Sequence, residues 1–209
     1  MASYPYKTVI DAAPLRTALV DPETVFAEIG VTPTADQSAQ MEVVIAQVSG
    51  LIDGFLDRHL AEADVTDHFR QPRGDTLRLS RWPVAEILQV IENGIELAPE
   101  AWELDEVSGQ LWRKANGDRS CWSSCGNTTV SYVGGYILPD ELPADIQRAA
   151  IDEIKARFMG GGRDPNLRSF NVPDTMQASF SVGGGDSAGK GSLMAQVERS
   201  LALYRRMVV

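Results

Sequence analysis

The chain has 209 residues, of which 44% are hydrophobic and 23% are charged, values typical of a folded globular protein. Asp and Glu outnumber Lys and Arg by 29 to 19, and the net charge of −10 argues against a general nucleic-acid binder, because affinity for phosphate comes from Lys and Arg. No apolar run is long enough to predict a membrane span, and residues 1–13 lack the basic start and apolar stretch of a signal peptide, so we expect a protein made in the cytoplasm with no membrane partner.

The N-terminal part predicts an extended arm followed by a short helix. Residues 1–14 contain two prolines and show no helical periodicity. Asp21-Pro22-Glu23 is typical of a helix start, because Asp caps the free amides and Pro fits the first helical position. Gly30 is expected to end this helix.

A longer helix is the strongest secondary-structure prediction in the chain. Either Thr34 or Asp36 can cap it, and apolar residues recur at helical spacing from Met41 to Leu56. We expect it to run to Leu60, so that the first helical region covers residues 21–60.

Residues 66–136 have β character and predict a small antiparallel meander inserted between helices. Asn93-Gly94 is a strong hairpin signal, because both residues tolerate positive φ. A second turn is expected at Ser108-Gly109, and residues 128–133 are rich in β-formers. This region also contains Trp82, Trp102, Trp112 and Trp122, for which both core packing and a role in an interface remain open.

Helical periodicity returns after the meander. Pro143 begins a helix over residues 143–159, which Gly160-Gly161-Gly162 ends. A strand-like run over 176–182 leads into a Gly-rich flexible linker, Gly183 to Gly191. The last amphipathic helix, about residues 192–207, is too short to be stable alone and needs a surface on which to dock.

The predicted fold class is therefore α+β. It consists of a helical bundle of about four helices, an inserted small antiparallel β-meander and an extended C-terminal arm that ends in a helix. We expect a connector-like domain over residues 1–182, and a flexible linker with a docking helix over residues 183–209.

The segment Gly184 to Lys190 has the G-x-x-x-x-G-K spacing of a phosphate-binding loop. Gly191, however, stands where such a loop needs Ser or Thr to hold magnesium, and too few residues follow to complete a nucleotide-binding domain. A flexible linker is the favoured interpretation, and no cofactor is expected.

Catalytic and metal-binding patterns are weak. Cys121 and Cys125 match neither C-x-x-C nor a four-ligand zinc pattern, and we expect a pair of reduced thiols. His59 is explained by a helix C-terminus, and His68 by a strand beside Phe69. We therefore predict no catalytic residue and no metal site, and a protein that is not an enzyme.

Three segments carry a resemblance to a known family. They are Val130-Ser131-Tyr132-Val133-Gly134-Gly135-Tyr136, the run Leu142-Pro143-Ala144-Asp145-Ile146 with Ala149 and Ala150, and the ending Leu201-Ala202-Leu203-Tyr204-Arg205-Arg206. With the hairpin at Asn93-Gly94, their order over roughly residues 20–206 resembles the head–tail connector (adaptor) proteins of tailed bacteriophages, which also occur in gene transfer agents. The long β-rich stretch departs from the minimal helical members of that family.

The resemblance implies a structural subunit of the virion neck, assembled in the host cytoplasm. Its implied partners are the portal protein, a stopper or tail-completion protein, and further copies of itself in a ring of about twelve, through which double-stranded DNA passes without specific binding. It also implies that the C-terminal segment reaches the portal. On this chain the docking residues would be Leu193, Val197, Leu201, Tyr204, Arg205 and Arg206, and Tyr and Arg are frequent binding anchors.

Three alternatives remain open at this point. The chain could be another neck component, such as a stopper or tail-completion protein. It could be a small cytoplasmic enzyme that uses Cys121 or His68. The terminal helix could also pack on its own domain.

Overall fold

The computed structural model divides the chain into two compact units, each built from two separate stretches. It describes residues 2–160, 169–172, 176–179 and 201–205. Residues 1–17 and 58–142 form one unit, here called the β unit, and residues 18–57 and 143–209 form the other, the helical unit. The predicted linker over 183–191 and the predicted domain boundary at residue 182 lie outside the described residues.

The described part of the β unit contains nine strands in two antiparallel sheets. In chain order they are β1 (Lys7–Ala12), β2 (Ala63–Arg70), β3 (Thr76–Arg78), β4 (Val84–Glu92), β5 (Ile95–Glu96), β6 (Trp102–Asp105), β7 (Gln110–Ala115), β8 (Asp118–Arg119) and β9 (Asn127–Gly134). The first sheet has the order β1-β2-β9-β4-β5, and the second has the order β3-β7-β6, with β8 paired to β7.

One hydrophobic core lies between the two sheets. Side chains alternate between buried and half-buried along β2 and β9, as expected for strands with one face in a core. Both sheets contribute to this core, which comprises Ala63, Val65, Phe69, Val84, Val90, Val130 and Tyr132 from the first sheet, Leu77 and Leu111 from the second, and Leu79 and Trp122 from the connecting segments.

The N-terminal arm takes part in both sheets. Ser3 forms a parallel bridge to Leu77 of β3, with hydrogen bonds of 2.9 Å from its amide to the Thr76 carbonyl and from the Arg78 amide to its own carbonyl. A few residues later β1 pairs along β2 in the other sheet. The arm was predicted to be extended, and it forms the edge of both sheets.

The hairpin prediction at Asn93-Gly94 is confirmed. The two residues have φ of 54° and 80°, and Glu92 of β4 pairs with Ile95 of β5 directly across the turn. Positive φ at both positions is what a two-residue hairpin turn requires.

The helical unit contains α1 (Pro22–Ile29), α2 (Ala35–Leu56) and α3 (Ala144–Gly160) in its described part. Thr34 caps α2 in a reciprocal arrangement: its hydroxyl accepts from the Gln37 amide at 3.3 Å, and the Gln37 side chain accepts from the Thr34 amide at 2.9 Å. The unit also contains an antiparallel strand pair, β10 (Ser169–Val172) with β11 (Met176–Ser179), and a 3₁₀ turn over Ala202–Tyr204.

The predicted four-helix bundle with a small β insert is wrong. The described residues contain three helices and a two-sheet β unit of nine strands, so the protein is a mostly-β α+β protein. The sequence patterns missed the whole of β1 and the start of β2, which enlarge the expected meander into a sandwich with its own core. Of the predicted terminal helix, only residues 201–205 are described.

Helix α2 is long and apolar enough to cross a bilayer when judged by length and composition alone. The same composition is expected of a core helix. Met41, Ile45, Val48, Ile52 and Leu56 are buried at helical spacing along one face, and α2 makes contacts with α1 and α3. We therefore interpret α2 as the central helix of the helical unit.

Candidate assembly surfaces

A buried carboxylate ties the strands of the β unit together. Asp67 of β2 is fully buried and points into the core side of the sheet. It accepts hydrogen bonds from the Thr8 hydroxyl at 2.5 Å, the Ser80 amide at 2.7 Å, the Ser80 hydroxyl at 2.8 Å and the Tyr132 hydroxyl at 3.0 Å. These donors come from β1, from the chain after β3, and from β9. A buried charge is tolerated only when it is this well paired.

Tyr132 is the second centre of this network. Its hydroxyl donates to Asp67 and accepts from the buried Arg81 amide at 2.9 Å. Burial and the nearby charge of Asp67 raise the pKa of Tyr132 well above its ordinary value of 10. Because the phenol is held neutral and its hydrogen bonds are internal, we interpret the network as a structural tie rather than an acid–base pair.

The Gly-Gly pair in the run that carries the resemblance is required by close packing. A Cβ at Gly134 would lie 2.8 Å from the Tyr132 ring, and one at Gly135 would lie 2.5 Å from the Ala61 carbonyl oxygen. Gly135 also has φ of +115°, a conformation that other residues rarely adopt. The sequence motif therefore encodes how β9 leaves the sheet.

The four tryptophans all lie in the β unit, with different surroundings. Trp122 is buried in the core of the β unit, and the partly buried Trp102 packs against this core. Trp82 is half-buried beneath the guanidinium of Arg58, 4.2 Å from the ring centre, and Trp112 lies 4.4 Å beneath Arg119 in the same way. Cation–π contacts of this kind explain the polar setting of the two half-buried rings.

The residues considered for chemistry are not brought together. Cys121 and Cys125 are both free and exposed. His68 is half-buried on the opposite face of the first sheet from Asp67, with Nδ1 3.3 Å from the Thr129 hydroxyl, and His59 is exposed. Among the described residues, no three His, Cys, Asp or Glu side chains are grouped so as to hold a metal ion. The loop Gly184 to Lys190 lies outside the described residues.

Three of the six predicted docking residues are described, and all three contact the helical unit itself. Leu201 is 1% exposed. The Tyr204 hydroxyl donates to Asp145 of α3 at 3.3 Å, and the Arg205 guanidinium lies 5.7 Å from the Phe55 ring while its residue remains exposed. The other three, Leu193, Val197 and Arg206, lie outside the described residues.

The β unit also has a shallow cavity of about 240 Å³ at the end of β9. Its walls mix apolar and charged side chains from the β1–α1 loop, the start of β2 and the chain after β9, namely Leu15, Arg16, Glu62, Tyr136, Ile137, Leu138 and Asp140. Of these residues, Leu15 and Ile137 are exposed apolar side chains.

The fold is similar to that of chains in solved gene transfer agent particles. A chain of the virion of a native particle aligns with a TM-score of 0.58 at 18% identity, covering 97% of this chain and 96% of that chain. A chain of the neck of an empty particle, computed with C6 symmetry, gives 0.57 at 18% identity, and a chain of the neck of a native particle, computed with C12 symmetry, gives 0.53 at 17% identity. In both neck structures 97% of each chain is covered.

No protein-family model and no curated protein sequence matches the chain. At identities of 17–18%, the structural similarity shows the fold. It extends over both the β unit and the helical unit, since 97% of the chain is aligned.

Proposed function

We propose that this protein is a structural subunit of the neck of a phage-like particle. Within the neck, we propose that it is the head–tail connector (adaptor), which joins the portal to the stopper or tail. The observation that carries the proposal is the end-to-end fold similarity to chains of gene transfer agent neck structures, which covers nearly all of both chains. The order of sequence segments supports the same assignment independently of the coordinates.

The chemistry of the described residues supports a role in assembly. The buried Asp67 and Tyr132 side chains of the β unit bond to each other, and the core of the unit is continuous. By contrast, several large apolar side chains are exposed, including Leu15, Ile95 and Val107 at 103%, 68% and 78%. Exposed apolar side chains rimmed by charges are typical of surfaces that bind other proteins.

We further propose that about twelve copies form a ring around the DNA passage. One neighbouring neck structure was computed with C6 symmetry and another with C12 symmetry, and both are compatible with a subunit count of twelve. A net charge of −10 for each copy would give such a ring a negative field, which repels phosphate and lets DNA slide without binding.

The direct test is electron microscopy of particles made with and without this gene. We expect particles that lack the protein to have filled heads without attached tails, and complementation to restore a density of this fold directly below the portal. A density of this fold nearer the tail would identify a stopper or tail-completion protein instead. Normal necks in its absence would contradict the proposal.

We also propose that the C-terminal segment contacts the portal through Leu193, Val197, Leu201, Tyr204, Arg205 and Arg206. Because Leu201 is buried in the helical unit, its docking would require the segment to leave that site, whereas Arg205 is already exposed. Arg205→Glu should therefore weaken cosedimentation with purified portal rings, while Arg205→Lys, which keeps the charge, should bind nearly as well. Equal binding by Arg205→Glu and the wild type would remove Arg205 from the interface.

A further inference from the structure

We propose that successive copies of this chain contact each other through opposite edges of the β unit, one basic and one acidic. The basic edge is defined by Tyr6, Lys7, Ile10, Arg70 and Arg73. The acidic edge is defined by Glu86, Leu88, Ile95, Glu96, Glu106 and Val107. The inference deepens the proposed ring and rests on it for its biological meaning.

The basic edge is formed by β1 and the segments beside it. β1 is the end strand of its sheet and pairs only with β2 among the described strands. Tyr6, Lys7 and Ile10 are exposed along it, and Arg70 lies 5.0 Å from the Tyr6 ring. The exposed Arg73 is held at the same edge, because its amide and carbonyl both hydrogen bond to the Ser3 hydroxyl of the arm.

The acidic edge runs along the uncovered side of β4. On the side away from β9, β5 pairs with β4 only at Ile91 and Glu92, and the Leu97 amide bonds to the Val90 carbonyl, so the described structure has no strand along Ala85 to Gln89 on this side. Glu86 and Leu88 are exposed on this length. At the start of β4 the Val84 amide donates to the Glu106 carbonyl at 2.8 Å, which brings the exposed Glu106 and Val107 beside β4. At the other end of β4 lie the exposed Ile95 and Glu96 of β5.

The charges of the two edges are complementary. No Lys, Arg or His occurs between Arg81 and Arg113, a stretch that contains seven acidic residues and the whole acidic edge. The basic edge has three exposed cations, and beside it on β1 lies one exposed acid, Asp11, whose carboxylate accepts from the Thr66 hydroxyl at 2.6 Å. Apolar side chains lie among the charges on both edges, so contact between them would bury apolar area as well as pair charges.

This arrangement selects the geometry of assembly. Two basic edges or two acidic edges repel each other, and charged edge strands with bulges, as found between Ile10 and Ala12 and twice along β4, resist indiscriminate strand pairing. Only the pairing of unlike edges remains favourable. A contact between two different patches of the same chain is head-to-tail, and it closes into a ring when the rotation between copies permits.

A charge-swap experiment on the purified full chain tests the inference. Variant A carries Lys7→Glu and Arg73→Glu, so that both its edges are acidic, and variant B carries Glu86→Lys and Glu96→Lys, so that both its edges are basic. The matched control carries Asp140→Lys and Glu141→Lys, which reverses the charge of two exposed acids that belong to neither edge. Unchanged tryptophan fluorescence confirms that each variant has a folded β unit.

Sedimentation velocity at high protein concentration and low salt then measures association. We expect the wild type and the control to associate, variants A and B to lose association separately, with dissociation constants at least about tenfold higher, and an equimolar mixture of A and B to regain it. Carbodiimide cross-linking of the wild type should join Lys7 to Glu86 or Glu96. In a mixture of unlabelled and ¹⁵N-labelled chains, cross-linked peptides with one labelled and one unlabelled partner show that the link joins different molecules.

The inference is overturned if A or B associates like the wild type, if their mixture does not recover, or if the wild type stays monomeric. None of these results depends on particles. A chain that is absent from particle necks but shows the charge-swap pattern would refute the proposed function alone, and a neck protein that fails the charge-swap test would refute the edge contact alone.

Discussion

Removing one hydroxyl group should measurably loosen the β unit. Tyr132→Phe deletes the phenol that donates to the buried Asp67 carboxylate at 3.0 Å and accepts from the buried Arg81 amide at 2.9 Å. Asp67 keeps its bonds from Thr8 and Ser80, but the Arg81 amide loses its partner in a buried position. The variant therefore tests whether the polar network stabilises the fold or merely occupies the core.

The expected cost follows from these two contacts. A hydrogen bond to a charged acceptor contributes about 1.5–3 kcal/mol, and an unsatisfied buried amide costs about 1–3 kcal/mol. The better burial of a phenyl ring offsets part of this, so we expect the free energy of unfolding to fall by about 2–4 kcal/mol. With a slope of about 1–2 kcal/mol per molar urea, the unfolding midpoint should fall by about 1–4 M.

The chain provides a selective assay, because all four tryptophans lie in the β unit. Urea titration followed by tryptophan fluorescence reports that unit, and circular dichroism at 222 nm reports mainly the helices. Tyr136→Phe is the matched control, since it also removes one hydroxyl but keeps the ring that lies 5.8 Å from the Arg58 guanidinium. A Tyr132→Phe midpoint within experimental error of the wild type, or an equal loss in Tyr136→Phe, would refute the reasoning.

The same pair of proteins also has a pH signature. The pKa of Tyr132 is raised in the folded state, so the unfolded chain ionises first as the pH rises above 10. The stabilisation from this group is therefore complete below pH 10 and is lost above it, by about 1.4 kcal/mol for each further pH unit. Tyr132→Phe lacks the group. The difference in unfolding free energy between this variant and the wild type should therefore stay constant between pH 7 and 9 and become smaller above pH 10. A difference in unfolding free energy that is the same at all pH values would contradict a raised pKa of Tyr132 in the folded state.

Two further substitutions test backbone fit and ion pairing. Gly135→Ala, at φ of +115° and with a Cβ 2.5 Å from the Ala61 oxygen, should lower the urea midpoint of the β unit by more than Gly117→Ala, where φ is +90° but no atom lies within 4 Å. The pKa of Glu28 is lowered by its hydrogen bond from Lys155, so its stabilisation is present above pH 4.5 and is lost as the pH falls through the folded value. At pH 7, Glu28→Gln should therefore have a lower urea midpoint than the wild type, as followed by circular dichroism. This difference in midpoint should become smaller as the pH is lowered through the folded pKa of Glu28. A difference that is the same at pH 7 and at acidic pH would exclude the ion pair as its cause.

Local sequence signals predicted local structure well. Asn93-Gly94 forms the expected turn because its chemistry is contained in the two residues themselves. Thr34 caps α2 for a similar reason, through a contact with Gln37 three residues away. The helix nevertheless ends at Leu56 instead of Leu60, since Asp57 adopts a left-handed φ of 53° without the glycine that usually marks such an end.

The β architecture escaped prediction because its determinants are distant in sequence. Asp67 stands at a core-facing position of β2, so the apolar alternation that marks a strand is broken where its carboxylate is most buried. β1 is exposed at five of its six positions and has no alternation to detect. The two edges exist only through the sheet order, which pairs β1 with a strand more than 50 residues away, and this order has no signature in a single sequence.

The way the chain alternates between its two units constrains how it can be cut. The β unit needs residues from before and after the first two helices, and the helical unit resumes only after the last strand of the sandwich is complete. A nascent polypeptide must therefore keep its first strand unpaired until β2 has left the ribosome. A minimal version of the sandwich would have to splice Thr17 to Arg58 through a short artificial loop, because trimming from the amino terminus alone would remove an edge shared by two sheets.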